Sequence, residues 1–436
     1  MVRLAVPAFL ALVAEPLFLL VDSAIVGHLG VAELAGLGVA SAVLATAASV
    51  FVFLAYGTTA VVARLLGAGD RRGAASAGMD GLWLALLLGA VAAVAAFALV
   101  EPVCRLLGAS GAVLTHATAY LAVSAWGLPG MLVVLAVTGV LRGFQDTRTP
   151  LVVSVLGFTA NALLNVWFVY GLGWGVAGSA WGTVLAQTSM AAVFVVALLR
   201  IARREGAPWG VHPAGVLRAA ADGVPLIVRT AALRAILLVT VWVAAGLGPV
   251  PLAAHQVAFT VWSFLTFALD ALAIAAQALT GKALGAGDAG AVRRATALMV
   301  RWGVRAGAVL GVAVVLASPV LPALFTPDPA TRAALTAALV VVGLGQALSG
   351  YVFVLDGVLI GAGDGRWLAG AMVAVLVAYL PLVLAVRAAG PWLLGAGAPW
   401  ALAALWAAFT GFLALRGLLL GRRARGDRWL VLGASR

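Results

Sequence analysis

The chain is divided into apolar runs long enough to cross a bilayer, and this constrains its fold more than any other feature. The runs fall at about residues 4–27, 34–63, 79–100, 116–141, 151–171 and 175–199, then at 223–246, 252–281, 296–325, 333–360, 367–390 and 397–420. Short clusters of Gly, Pro and charge part them. A hydrocarbon core about 30 Å thick takes about 20 apolar residues of helix, so each run reads as one span. Of 436 residues, 64% are hydrophobic and 10% charged, where soluble domains carry about 25% charged residues. A water-soluble globule, a disordered chain and a coiled coil are excluded. The expected fold class is an all-α integral membrane protein with twelve transmembrane helices in two pseudo-symmetric six-helix bundles, arranged as a parallel repeat.

The longest polar stretch, Arg200 to Asp222, divides the runs into two sixes. The expected organisation is an amino-terminal lobe over residues 1–200, a cytoplasmic linker over 201–221, a carboxy-terminal lobe over 222–420 and a basic cytoplasmic tail over 421–436. The halves repeat. Leu66-Gly67-Ala68-Gly69-Asp70 returns as Leu284-Gly285-Ala286-Gly287-Asp288, a displacement of 218 that also carries Val6-Pro7 onto Val224-Pro225. Gly139-Val140-Leu141 with Gly143, Asp146 and Arg148 maps in the same way onto Gly357-Val358-Leu359 with Gly361, Asp364 and Arg366. An even number of spans per half gives both halves one orientation, a parallel repeat of the kind secondary transporters use.

A net charge of +12 in a soluble chain would suggest nucleic acid, but here the basic residues lie between spans and set orientation. Alternating the loops puts 22 of 27 Lys and Arg on the side of both termini and the linker. A multi-pass protein of the plasma membrane with both termini cytoplasmic is expected, its basic tail against an anionic inner leaflet. Glu15 and Asp22 inside the first run argue against a signal peptide. The single cysteine, Cys104, excludes a disulfide framework, and the four histidines lack ligand spacing, so no metal is expected. The Gly-Ala-Gly-Asp loops lack the Lys-Ser or Lys-Thr of a phosphate cradle and read as tight turns, with no ATP site and no enzyme activity. Trp174, Trp209, Trp392 and Trp400 suit interfacial anchoring.

A carboxylate in hydrocarbon costs several kcal/mol, so each intramembrane acid needs a reason. Four lie inside spans: Glu15, Asp22, Asp270 and Asp356. Burial disfavours the charged form of a carboxyl group, as a proton-coupled site requires. Glu15 and Asp22, seven residues apart, share one helical face. Position alone favours Glu15, because Asp22 lies about 8 Å from the outer end of its span. Asn161 and Asn165, four apart, project together from the fifth span, and Thr183 sits early in the sixth; packing glue and binding are equally open readings. In the carboxy-terminal lobe Asp270 and Asp356 are expected to face Arg229 and Arg234 as an internal polar network. Pro7 and Pro16 remove backbone donors in the first span and allow it to bend.

These residues bring a family into view. Leu20-Val21-Asp22-Ser23-Ala24-Ile25-Val26-Gly27-His28-Leu29-Gly30, Leu141-Arg142-Gly143 with Asp146-Thr147-Arg148, and Leu355-Asp356-Gly357-Val358-Leu359-Ile360-Gly361 resemble the multidrug and toxic compound extrusion (MATE) family. The last of these, with Leu269-Asp270 and the following Gly-Ala-Gly-Asp turn, is similar to its DNA-damage-inducible (DinF-like) branch. The resemblance implies an ion-coupled antiporter with two lobes that exports small organic, often cationic or amphipathic, compounds, with no cofactor beyond the coupling ion and a monomer in the bilayer. It places Asp22 on the family's first-helix acid, overturning the positional preference for Glu15. It also places Pro7 on the bending proline, and Asn161 and Thr183 on polar members of the same pocket. Asn165 departs from the pattern, since many relatives carry a second aspartate there. One certain carboxylate favours H+ over Na+, with Na+ the alternative. A lipid-linked oligosaccharide flippase would need a cationic cavity, which only Arg229 and Arg234 offer. A membrane transferase would need paired acids at a membrane face, and none appears.

Overall fold

The computed structural model describes residues 2–434, except the side chains of residues 2, 3, 15 and 17. Glu15 is thus one expected coupling residue whose side chain lies outside the described residues. The elements are α1 (Val2–Gly27), α2 (Val31–Phe51), α3 (Phe53–Gly67), α4 (Arg71–Leu106), α5 (Gly111–Ala125), α6 (Leu128–Gly143), α7 (Arg148–Val166), α8 (Gly175–Arg204), α9 (Pro213–Gly246), α10 (Pro249–Gly285), α11 (Ala289–Ala317), α12 (Pro329–Gly361), α13 (Gly365–Ala388), α14 (Gly390–Ala396) and α15 (Ala398–Arg425). Among the described residues there is no strand. Among the described residues eleven spans are long and apolar enough to cross a membrane, α2 with α3 counting as one, and the pair α5 and α6, bent by 53°, supplies a twelfth if it forms one span. The chain divides into two compact units inside α9, between Val224 and Pro225.

The repeat seen in the sequence is a repeat of local structure. Gly69 and Gly287 take φ of 82° and 78°, a left-handed conformation that costs glycine little and ends a helix. The next residue caps the following helix: Asp70 accepts from Gly73 N at 2.7 Å and Asp288 from Ala291 N at 2.7 Å. The Gly-Ala-Gly-Asp motifs at 67–70 and 285–288 are therefore helix stops and starts. The third pair diverges. Asp146 accepts from the backbone N–H of Arg148 and Thr149, whereas Asp364 binds the Arg423 guanidinium at 2.7 Å.

In the carboxy-terminal unit α12 is the most deeply buried span. Gly303, Gly307 and Gly311 on α11 meet the backbone of Gly350, Gln346 and Gly343, so closely that a Cβ would collide with carbonyl oxygens. Gly357 and Gly361 press in the same way on Ala273 and Gln277 of α10. Such contacts are how helices associate without a hydrophobic driving force between them.

The linker and tail differ from expectation. Helix extends to Arg204 and resumes at Pro213, leaving only residues 205–212 non-helical. The tail packs onto its own unit. Trp429 is 1% exposed, Arg293 pairs with Asp427, and Gly433 N donates to Leu284 O at 3.0 Å. A buried indole outweighs the tail's basic character and folds it back onto its own lobe.

Candidate functional site

The amino-terminal unit buries one acid among neutral donors. Asp22, five residues from the end of α1, is 2% exposed. Its Oδ1 accepts from Asn165 Nδ2 of α7 at 2.9 Å and from Ser179 Oγ of α8. Its Oδ2 accepts from the Tyr120 hydroxyl of α5 at 3.2 Å. Four helices thus contribute to one carboxylate, and among the described residues it has no cationic partner.

Local sequence makes this convergence possible. Gly182 on α8 lies directly over Asn165 Oδ1, where any Cβ would collide. α7 ends in a π turn, Trp167–Gly171, a distortion often found at functional sites. From that turn the Tyr170 hydroxyl donates to Ile25 O at 2.6 Å, fastening the end of α1. Tyr120 belongs to a packed apolar cluster with Val26, Leu37, Ala117, Leu121 and Val176. Its ring is therefore held while its hydroxyl reaches the acid.

Of the residues expected here, Asp22 and Asn165 meet. Asn161, one turn earlier on α7, is 2% exposed and its Oδ1 has no partner. Thr183 donates to Ser179 O at 3.1 Å and lies within hydrogen-bond reach of the Tyr120 hydroxyl, so it meets Asp22 through its neighbours rather than directly. Pro7 and Pro16 lie inside α1, which runs unbroken through both. Sequence reading missed Tyr120 and Ser179. Ser179 stands four residues before Thr183, hence on the same helical face, and that spacing was the available signal.

The carboxy-terminal unit arranges its acid differently. Asp356 of α12 is 6% exposed and is held by two arginines: Arg229 of α9 and, at 2.8 Å, Arg416 of α15. The expected partner Arg234 is corrected to Arg416. Positions 229 and 234 are five apart, about 140° around a helix, so one faces inward and the other, Arg234, is exposed. Asp270 is half-buried on α10. A small cleft beside this cluster is lined by Asp356, Leu368, Met372, Val375 and Arg416. Among the described residues no group of three or more His, Cys, Asp or Glu is placed to hold a metal ion.

Comparison with known proteins places the whole chain. The MatE family profile matches twice, over residues 7–167 and 225–385, stretches displaced by the same 218 residues as the internal repeat. Protein DETOXIFICATION 44, chloroplastic, of Arabidopsis thaliana is 30% identical over 460 residues, covering 99% of this chain and 83% of that protein. DNA damage-inducible protein F of Escherichia coli K12 is 29% identical over 440 residues, covering 98% and 93%. A MATE protein solved in the straight conformation superposes with a TM-score of 0.85 at 21% identity, covering 97% of this chain and 95% of that one, a likeness of fold. The chain is a multi-pass membrane protein of the MatE family, the multidrug and toxic compound efflux transporters.

Proposed function

We propose that the protein is a proton-coupled antiporter that exports small organic, often cationic or amphipathic, compounds from the cytoplasm by alternating access, with Asp22 as the proton carrier. One observation carries this reading: a carboxylate 2% exposed and bound, among the described residues, by neutral donors alone. Protonating it removes a charge without leaving a buried cation behind. Once neutral, the carboxyl needs an acceptor for its own proton, so the donors from Tyr120, Asn165 and Ser179 must rearrange. Four helices feel that rearrangement. Transport requires that the substrate bind the two states unequally. Pro7 and Pro16 supply places where α1 can yield, and Glu15, Asn161 and Thr183 complete the expected site. The protein sits as a monomer in the plasma membrane with both termini cytoplasmic, by the distribution of Lys and Arg.

Asp22→Asn keeps the shape and removes the titration. Proton-driven dye accumulation in inverted vesicles is expected to fall to background while membrane expression stays normal. Wild-type accumulation by that variant overturns the assignment. A second reading is sodium coupling, favoured by the Oδ1 atoms of Asn161 and Asn165, two buried carbonyl oxygens that receive no hydrogen bond. A sodium gradient imposed at constant pH separates the two. Proton coupling expects no accumulation in that arm.

A further inference from the structure

The linker and the tail close their two halves at equivalent places, since a displacement of 218 carries residues 208–216 onto 426–434. They present opposite faces. The tail turns its indole inward at Trp429, 1% exposed. The linker turns its apolar side chains outward: Trp209 is 45% exposed, Val211 57% and Leu217 71%. Arg203 lies over the Trp209 ring, 4.5 Å from its centroid, and Arg200, Arg204 and Arg218 are exposed nearby in the chain. The ledge is an ordered one. Arg71 of α4 binds Glu205 at 2.7 Å, Trp83 Nε1 donates to Trp209 O at 3.1 Å, and His212 stands 3.8 Å from Asp80. Residues 200–218 thus carry four arginines against one glutamate, which Arg71 already engages, while Asp80 of α4 faces His212 and Arg218.

We propose that this linker ledge is a docking surface for anionic phospholipid headgroups of the leaflet on its side of the membrane, with Arg203, Arg204 and Arg218 meeting phosphate and Trp209 with Leu217 entering the headgroup layer. Position selects the partner. The ledge joins the ends of α8 and α9, both long and apolar enough to cross a membrane, and the end of a span is where lipid headgroups lie. Exposed tryptophan beside arginine is the composition that suits that layer. The tail has exposed arginines as well, Arg422, Arg425 and Arg428, but its tryptophan is buried, so it offers charge without the apolar wedge.

The test titrates phosphatidylglycerol, and phosphatidylcholine as the neutral comparison, into the full-length protein in detergent and counts retained lipid by native mass spectrometry. Wild type is expected to prefer phosphatidylglycerol. Arg203→Gln/Arg204→Gln/Arg218→Gln is expected to weaken that preference on the order of 100-fold, and Arg425→Gln/Arg428→Gln in the tail by less than tenfold. No preference in wild type, an unchanged preference in the triple variant, or displacement of the lipid by millimolar inorganic phosphate overturns the proposal. If the triple variant does not fold, quenching by brominated phosphatidylglycerol decides: wild type must lose more fluorescence than Trp209→Phe, and equal quenching overturns it.

Discussion

Two buried aspartates, Asp22 in the amino-terminal lobe and Asp356 in the carboxy-terminal lobe, are treated in opposite ways. Asp22 receives hydrogen bonds from a tyrosine, an asparagine and a serine, whereas Asp356 is held between Arg229 and Arg416. Neutralising Asp22 strands no opposite charge. Neutralising Asp356 leaves two buried guanidinium groups without their shared counter-ion, at a cost that rises steeply in a low-dielectric interior. A buried acid is therefore not by itself a coupling site; the charge of its partners decides whether it can change state. On the proposed reading the amino-terminal lobe holds the acid that switches, whereas in the carboxy-terminal lobe Asp356 ties α9, α12 and α15 together.

The sharpest way to break this contrast is to remove each charge in turn. Asp356→Asn is expected to destabilise its lobe by about 3–5 kcal/mol, the usual cost of deleting one partner of a buried pair, seen as loss of folded protein in a detergent melting assay. Asp22→Asn is expected to melt close to wild type while transport disappears. Arg234→Gln, an exposed control outside the cluster, stays within about 0.5 kcal/mol. If Asp356→Asn melts normally and Asp22→Asn does not, the roles assigned to the two lobes are reversed.

A smaller effect sharpens the account of Asp22. A hydrogen bond to a charged group is worth about 1.5–3 kcal/mol, and one pH unit corresponds to about 1.4 kcal/mol. Ser179→Ala is therefore expected to move the pH profile of transport by about one unit or more, with folding intact. Ser124→Ala removes a buried hydroxyl of the same lobe that has no hydrogen-bond partner. It is expected to leave the profile in place. Equal profiles for wild type and Ser179→Ala would exclude Ser179 from the network.

Sequence alone made some of this legible for clear physical reasons. Spans are visible because hydrocarbon demands about 20 apolar residues. The repeat was visible because glycine at a left-handed turn and aspartate at a helix cap are hard to replace. Asp22 stood out because an acid in an apolar run is costly. Tyr120 and Ser179 did not stand out, since a tyrosine or serine in a span is ordinary and only the neighbours from other helices give it a task. Helical spacing puts Asn161 and Asn165 on one face, yet one turn of rise separates them, and of the two Asn165 reaches the acid. In the sequence Arg416 reads as one more cation leading into the basic tail, since Arg422, Arg423 and Arg425 follow it. Its burial depends on α9 and α12, which no local pattern reveals.

The smallest expected effect compares linker with tail. Glu205 lies beyond the end of α8, and hydrogen bonds from the Arg71 guanidinium hold its carboxyl below the ordinary carboxylate range. A carboxylate whose folded pKa is depressed stabilises its contact fully above its unfolded pKa, about 4.3, and loses that contribution as the pH falls through the lower folded value. Arg71 remains charged throughout. Hydrogen-exchange protection of residues 205–212 is thus expected to be flat from pH 7 to pH 5 and to fall on acidification below about pH 4. In Arg71→Gln the same amides are expected to be less protected already at pH 7 and to show no acid step. The tail is anchored differently, by the buried Trp429 and by Gly433 N donating to Leu284 O. Its protection is expected to persist when the linker has loosened, and to fail in Trp429→Ala at every pH. Simultaneous loosening of both segments in wild type would show that the ion pair does not govern the linker, and that the two ends of the repeat are secured by the same means.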